Sequence, residues 1–331
     1  MDTCAAVARI MEPYYTDTQD ARRKRASAQA TRNGVTLTRS IPLWLLRIAW
    51  ITLPLTAGPA ASAALRDWSD APRVVAEVLL WLAWGAGLLA ILAPRPQALT
   101  ALRAIAPAFL VFAIAAALDG SASTAATVAA LIATTVTAVS ASCHDIAIAA
   151  VNALAYGDEQ RLPLRVPPAL FLAPLPLARA LVVGSVIAAP LLLADGRIVL
   201  GLVALAIGAP LLAVLGRSLH ALSRRFAVLV PAGFVVVDPM TLSDPLLFVR
   251  ERITGMHAVD DGAASAHAPL DLRLGATLGS VALNFNEPAE IVRAGRARRT
   301  AETVRADGIL IAVVRHDEML RLAATRRIRV Q

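Results

Sequence analysis

Charged residues are scarce in this chain. They make up 17% of the 331 residues, against about 25% in an ordinary soluble domain, and the deficit is local. Residues 41–216 hold nine Arg/Lys and eight Asp/Glu, whereas residues 1–40 hold seven and four and residues 217–331 sixteen and twelve. Cysteine is also sparse: Cys4 and Cys143 are too few for a disulfide framework. Lys24 is the only lysine, so arginine carries almost all of the positive side of a +8 formal charge. Together with abundant alanine, this reads as high-GC coding bias. No zinc-finger spacing and no aromatic-plus-basic ribonucleoprotein motif accompany it, so no nucleic-acid partner is expected. Neither a glycine loop followed by Lys-Ser/Thr, a His-Glu-x-x-His, a dinucleotide fingerprint nor a Gly-x-Ser-x-Gly turn is present. His257, His267 and His316 lack metal-ligand spacing. The expectation is a non-enzymatic chain with no catalytic residue, metal or cofactor.

What the chain does contain is apolar sequence in long runs. Six stretches cover Ile41–Ala57, Val74–Ala93, Ala98–Leu118, Ala122–Cys143, Pro176–Ala194 and Ile198–Gly216. A bilayer core of about 30 Å takes roughly 20 apolar residues in a helix, and about 17 at the short end. The first run follows forty polar residues, so Ile41–Ala57 is read as a membrane helix and not as a cleaved leader. Pro167–Leu177 is apolar too but carries Pro167, Pro168, Pro174 and Pro176, and reads as an interfacial or kinked lead-in to the fifth helix.

Loop charge sets the expected orientation. Arg22, Arg23, Lys24 and Arg25 cluster in the N-terminal tail, and basic residues near helix ends favour the cytoplasmic side. The loops on the other side are Pro59–Arg73, Asp119–Ser121 and Asp195–Arg197, with three arginines against four acids. Both termini are therefore expected in the cytoplasm, with the chain multi-pass in the cell membrane and residues 1–40 forming a basic tail that touches membrane lipids.

Polar residues inside the apolar runs are the natural candidates for an intramembrane site. Glu77, Arg179, Thr134 and Thr137 form that set. Arg47, Arg103 and Arg179 lie near the expected cytoplasmic ends and can snorkel toward phosphates. Small residues four apart, Ala83 with Gly87 and Gly184 with Ala188, suit close helix packing. Pro54, Pro107, Pro190 and Pro210 each remove an amide from a helix. Cys143-His144-Asp145 is the most chemically suggestive cluster, but neighbours about 100° apart on a helix do not point at one another. Boundary residues are the simpler reading there. Asp158 and Glu159 read as solvent-facing loop acids.

Beyond Arg225 the periodicity changes to that of strands. Phe226–Val230 and Phe234–Val237 flank Pro231-Ala232-Gly233 as a hairpin. Leu246–Val249, Ile253–Val259, Leu272–Leu274, Ser280–Phe285 and Ile309–Val314 read as further antiparallel strands, and His316–Arg327 as an amphipathic helix with Met319, Leu320 and Ala323 on one side. The segments Arg225-Phe226-Ala227-Val228-Leu229, Gly233-Phe234-Val235-Val236 and Arg250-Glu251-Arg252-Ile253, with the closing strand and helix at Ile309–Arg327, resemble the bacterial pleckstrin-homology-like domains attached to membrane helices. The whole chain looks like a multi-pass membrane protein of a high-GC actinobacterium. The resemblance implies binding of lipid headgroups or partner peptides, for which Arg293, Arg296, Arg298 and Arg299 offer an anionic-ligand surface.

The expected fold is thus a mostly α-helical integral membrane protein with about six transmembrane helices at 41–216, preceded by the tail at 1–40. A small C-terminal α+β, β-rich cytoplasmic domain at 217–331 follows. The expected function is a membrane scaffold or regulatory subunit that presents this domain to a protein partner at the inner leaflet. The alternative is a transporter or lipid-handling protein using the proline-broken helices and the hydroxyl-rich fourth helix.

Overall fold

The computed structural model describes residues 41–153, 155–156, 158–259, 269–294 and 301–331. The basic tail and Arg296, Arg298 and Arg299 lie outside the described residues. Among the described residues six helices are long and apolar enough to cross a membrane: α1 (Ile41–Ala64), α2 (Asp70–Leu92), α3 (Pro96–Asp119), α4 (Thr124–Ser142), α7 (Pro174–Ala194) and α8 (Ile198–Ser223). Two short helices, α5 (His144–Asn152) and α6 (Pro168–Leu172), lie between α4 and α7. The expected loop at Pro59–Arg73 begins as helix, because Gly58–Ala64 continues α1 past a single turn residue, Ala57. Pro59 at the start of that segment needs no amide partner. The expected lead-in at Pro167–Leu177 is α6, a break at Ala173 and the first turn of α7, with Phe171 and Leu172 exposed.

Helix α3 is the hub of the bundle and packs against α1, α2, α4, α5, α7 and α8. The hydroxyl-rich α4 is the most enclosed span, with 39% of its apolar window buried against 6% for α7. Helices α7 and α8 form a hairpin whose other faces carry exposed apolar side chains such as Leu181, Ile187, Val203 and Ile207. Between helices in lipid there is no hydrophobic driving force, so fit and polar pairing decide the contacts.

The closest fit joins α1 to α2. Pro54 has no N–H to give the Trp50 carbonyl one turn back. Trp84 Nε1 donates to that carbonyl instead, at 2.9 Å. Trp50 Nε1 donates in return to Trp84 O, also at 2.9 Å. The Trp50 indole is fully buried and lies on Gly87, where an added Cβ would overlap the ring at Trp50 Cζ2. Gly184, by contrast, faces open space. In the α7–α8 hairpin close approaches are at Gly201, where a Cβ would stand 2.6 Å from Leu193, and at Gly208, where it would stand 3.3 Å from Ser185.

Among the described residues the α+β domain holds two four-stranded sheets. The first has the order β1 (Gln160–Pro163), β2 (Phe226–Val230), β3 (Gly233–Val237) and β4 (Leu246–Val249), all antiparallel. The second runs β5 (Ile253–Ala258), β7 (Ser280–Ala294), β8 (Ala301–Ala312) and β6 (Leu270–Asp271). Helix α9 (His316–Thr325) closes the core with Met319 and Ala323 fully buried. The sheets stay open, the edge at β5 covered only by the C-terminal residues (Met256 N donates to Arg329 O at 2.8 Å), so the closed sandwich implied by the pleckstrin-homology-like resemblance does not form. Three further expectations change. Strand β6 precedes Leu272–Leu274 and pairs parallel with β8. Strands β7 and β8 run much longer than their apolar centres, because Asn286-Glu287-Pro288 is carried in a bulge between Asn284 and Ala289. Arg293 consequently lies within β7, opposite Glu302, and not in a loop.

One strand of this domain comes from inside the membrane region. β1 lies between α5 and α6 in sequence and pairs with β2, placing Leu162 and Leu164 in the domain core beside Leu229, Val236 and Val313. Asn152 at the end of α5 bridges to it, accepting from Arg161 N at 2.9 Å and donating to Arg161 O at 2.6 Å. Arg225, just beyond α8, is the buried tie. Its guanidinium holds Asp238 with two bonds of 2.9 Å and also donates to Arg165 O (3.1 Å) and Leu272 O (3.2 Å). Both charged side chains are within 1% of complete burial. Arg315 at the start of α9 pairs with Asp145 of α5.

Two stability outcomes follow. Gly87→Val must expel Trp50 and break both indole bonds, and is expected to cost about 1–3 kcal/mol, the usual penalty of overpacking. Gly184→Val should leave the melting midpoint in maltoside micelles unchanged; equal melting of both variants would refute the assignment. Arg225→Met leaves Asp238 buried without its cation and should cost about 3–5 kcal/mol. Denaturant unfolding of the full chain, followed by protease sensitivity of the α+β domain, measures it.

Candidate functional site

Where the bundle meets the α+β domain, the packing leaves a cavity of about 330 Å³. Its bundle wall comes from α3, α5, α7 and α8, and its domain wall from the segment after β1 and the turn around Thr277. Around this cavity β1 and Arg225 tie the domain to the segment leaving the bundle, and Arg315–Asp145 ties it through α5.

Three arginines and one histidine line this space, and none of its lining residues is acidic. Arg103 projects from α3, about 10 Å along the helix from Pro96 at 1.5 Å per residue. Its Nε donates to Ala141 O at 3.4 Å. Arg179, one turn into α7, has no hydrogen bond or ion pair among the described residues. Arg165 is held from the domain side, donating to Val313 O and Val314 O at 3.3 Å each. His144 is exposed at the rim. Protein crowding one side of its imidazole, then the positive charges of Arg165 and Arg103, hold its pKa below the ordinary 6.5, with Asp145 opposing them weakly. The nearest carboxylate, Asp145, is engaged by Arg315. Phe171, Leu175, Leu219 and Leu222 complete the lining on the membrane side. The chemistry of such a site is capture of an anion that carries an apolar part, because uncompensated guanidinium groups away from bulk water gain most from an oxyanion partner.

The expected intramembrane set is not brought together. Arg179 lies at the domain end of the bundle, while Glu77 lines a separate cavity in the other half. Thr134 and Thr137 are fully buried, and their hydroxyls donate to the carbonyls of Ala130 and Ala133 four residues back, at 2.7 Å each. They line neither cavity. Cys143, His144 and Asp145 form no relay: Cys143 Sγ bonds to Val139 O, and Asp145 to Arg315. Glu159 pairs with Arg161 at 2.8 Å. Among the described residues no group of His, Cys, Asp and Glu is placed to hold a metal ion. Arg293 stands in β7, its carbonyl accepting from Ser243 Oγ at 3.3 Å.

Arg165 and the clamp strand were legible only faintly. In Gln160-Arg161-Leu162-Pro163-Leu164 only Leu162 and Leu164 follow a two-residue period, a pattern too short to separate from a loop.

The pKa of His144 has a direct consequence. The folded protein binds a proton there less readily than the unfolded chain. Its stability should therefore fall as pH drops below 6.5 and level off below the folded-state midpoint. NMR titration of the imidazole should give a midpoint below 6.5 that rises in Arg165→Gln. A midpoint unmoved by that substitution would separate His144 from the cavity charges.

Comparison of the chain with protein-family models, curated proteins and solved structures finds no match.

Proposed function

We propose that this chain is a non-enzymatic regulatory membrane protein in which an anionic headgroup, held between bundle and α+β domain, sets how the domain is presented. The observation that carries the reading is the junction cavity lined by Arg103, Arg165 and Arg179 with no acidic residue among its walls. Two of these arginines ride on spans and one on the clamp segment after β1, so an anion that binds all three couples the two parts of the molecule. The apolar side chains on the membrane side favour a phospholipid over a small hydrophilic anion.

In this reading the domain end of the bundle faces the cytoplasm of the cell, and both termini lie there. Support comes from the loops at that end, which carry Arg95, Arg161, Arg165, Arg224 and Arg225, while the opposite loops balance Arg66, Arg73 and Arg197 with acids. A protein partner would meet the domain away from the bundle, where β4 leaves a free sheet edge with Leu247 exposed. Lipid handling is the second reading and uses the same cavity. The Thr134 and Thr137 hydroxyls, which a transport reading would use, donate to carbonyls of their own helix.

Native mass spectrometry of the full chain with dioleoyl-phosphatidylglycerol and dioleoyl-phosphatidylcholine tests the proposal. One phosphatidylglycerol should be retained in preference, and Arg103→Gln with Arg179→Gln should reduce its retention at least tenfold. Equal retention of both lipids, or by both proteins, would sink it.

A further inference from the structure

The second cavity, open on one side, lies in the half of the bundle away from the α+β domain and holds about 260 Å³ between α1, α2, α3 and α4. Its shape originates in α1. Pro54 and Pro59 interrupt the helix on either side of Ala57, and the small residues Ala57, Gly58 and Ala61 border the space where a regular helix would carry bulk. Trp81, Trp84, Phe109 and Phe112 supply its aromatic walls. Trp81 and Trp84 meet edge to face at 5.5 Å, and the Trp84 N–H is engaged by Trp50 O.

The cavity has one carboxylate, Glu77, which is exposed at its mouth beside the exposed Trp81, and no basic lining residue. Glu77 sits about 10 Å along α2 from Asp70, within a candidate span. Arg73 is one turn away on the same helix, but its guanidinium is bound to Asp70 at 3.1 Å. Among the described residues Glu77 has no ion pair. A carboxylate inside a span is costly unless a positive charge answers it. Aromatic rings attract organic cations through their quadrupoles, most strongly where water is excluded.

We propose that this cavity is a binding site for an amphiphilic organic monocation, a quaternary or protonated amine with apolar substituents. Glu77 supplies the counter-charge and the rings of Trp81, Trp84, Phe109 and Phe112 receive the apolar and cationic surface. Metal and small inorganic cations are excluded, because a single carboxylate among rings offers them too few oxygen ligands.

Titration calorimetry of the full chain in maltoside micelles tests this with benzyltrimethylammonium as the cation, neopentylbenzene as its neutral isostere and benzenesulfonate as the anion. The cation is expected to bind at one site, and the other two at least tenfold more weakly. Glu77→Gln and Trp81→Ala should each weaken the cation at least tenfold, while Glu77→Asp and Trp68→Ala, the latter outside the cavity, should not. Saturable quenching of tryptophan fluorescence by the cation should follow the same order. No cation binding by the wild-type chain, equal binding of the neutral isostere, or undiminished binding by a folded Glu77→Gln protein would each overturn the proposal. Because the ligand series is read on the wild-type chain, a variant that fails to fold does not remove the test.

Discussion

Arg225 is the charge on which the arrangement of the two halves depends. Burying a guanidinium costs several kcal/mol unless a counter-ion and further acceptors answer it, and here Asp238 answers it together with the carbonyls of Arg165 and Leu272. Those acceptors come from three separate parts of the chain, the strand exit after β3, the segment after β1 and the stretch after β6, and meet Arg225 at the end of α8. Satisfying one side chain therefore fixes where the last span ends, where the clamp strand leaves the sheet and where the second sheet begins. Asp238 also accepts from Met240 N at 3.0 Å, so the turn after β3 depends on the same carboxylate.

Once that tie and β1 are in place, the α+β domain is not a module on a tether. Its first sheet contains a strand that the bundle must deliver, and Leu162 and Leu164 sit in its core. Movement of α5 or α7 therefore reaches the sheet through covalent and hydrogen-bonded connections. The junction cavity lies across this seam, which is why charge bound there bears on the relation between the two parts and not on either alone.

The bundle uses a different economy of contacts. In lipid the polar groups must find partners inside the protein, and the reciprocal Trp50–Trp84 bonds turn a proline defect into a specific helix pair. The same prolines bend α1 and open the space beside Glu77. Two of the molecule's cavities thus differ in electrostatic character and lie at opposite ends: one rich in guanidinium at the domain seam, one with a lone carboxylate among aromatic rings.

The sequence by itself determined the elements that arise from local periodicity. Apolar runs of bilayer length specify six spans, because backbone groups in lipid are satisfied only within a helix. The Phe226–Val237 hairpin was legible from its β-rich arms and turn, and so was the amphipathic face of α9. Glu77 and Arg179 stood out as charges in apolar runs for the same reason. What tertiary structure decided was every relation between distant residues. No periodicity announces that residues 160–163 join a sheet begun at Phe226, that Gly87 exists to seat Trp50, or that Arg225 is buried while Arg224 beside it is not. Nor could spacing tell that Arg179 meets Arg103 and Arg165 instead of Glu77, since a helix pattern gives each residue a face but not the neighbour that face will meet. Charge scarcity and hydrophobic period are properties of the chain; pairing and cavity shape belong to the fold, where one desolvated group must find its partner wherever the packing puts it.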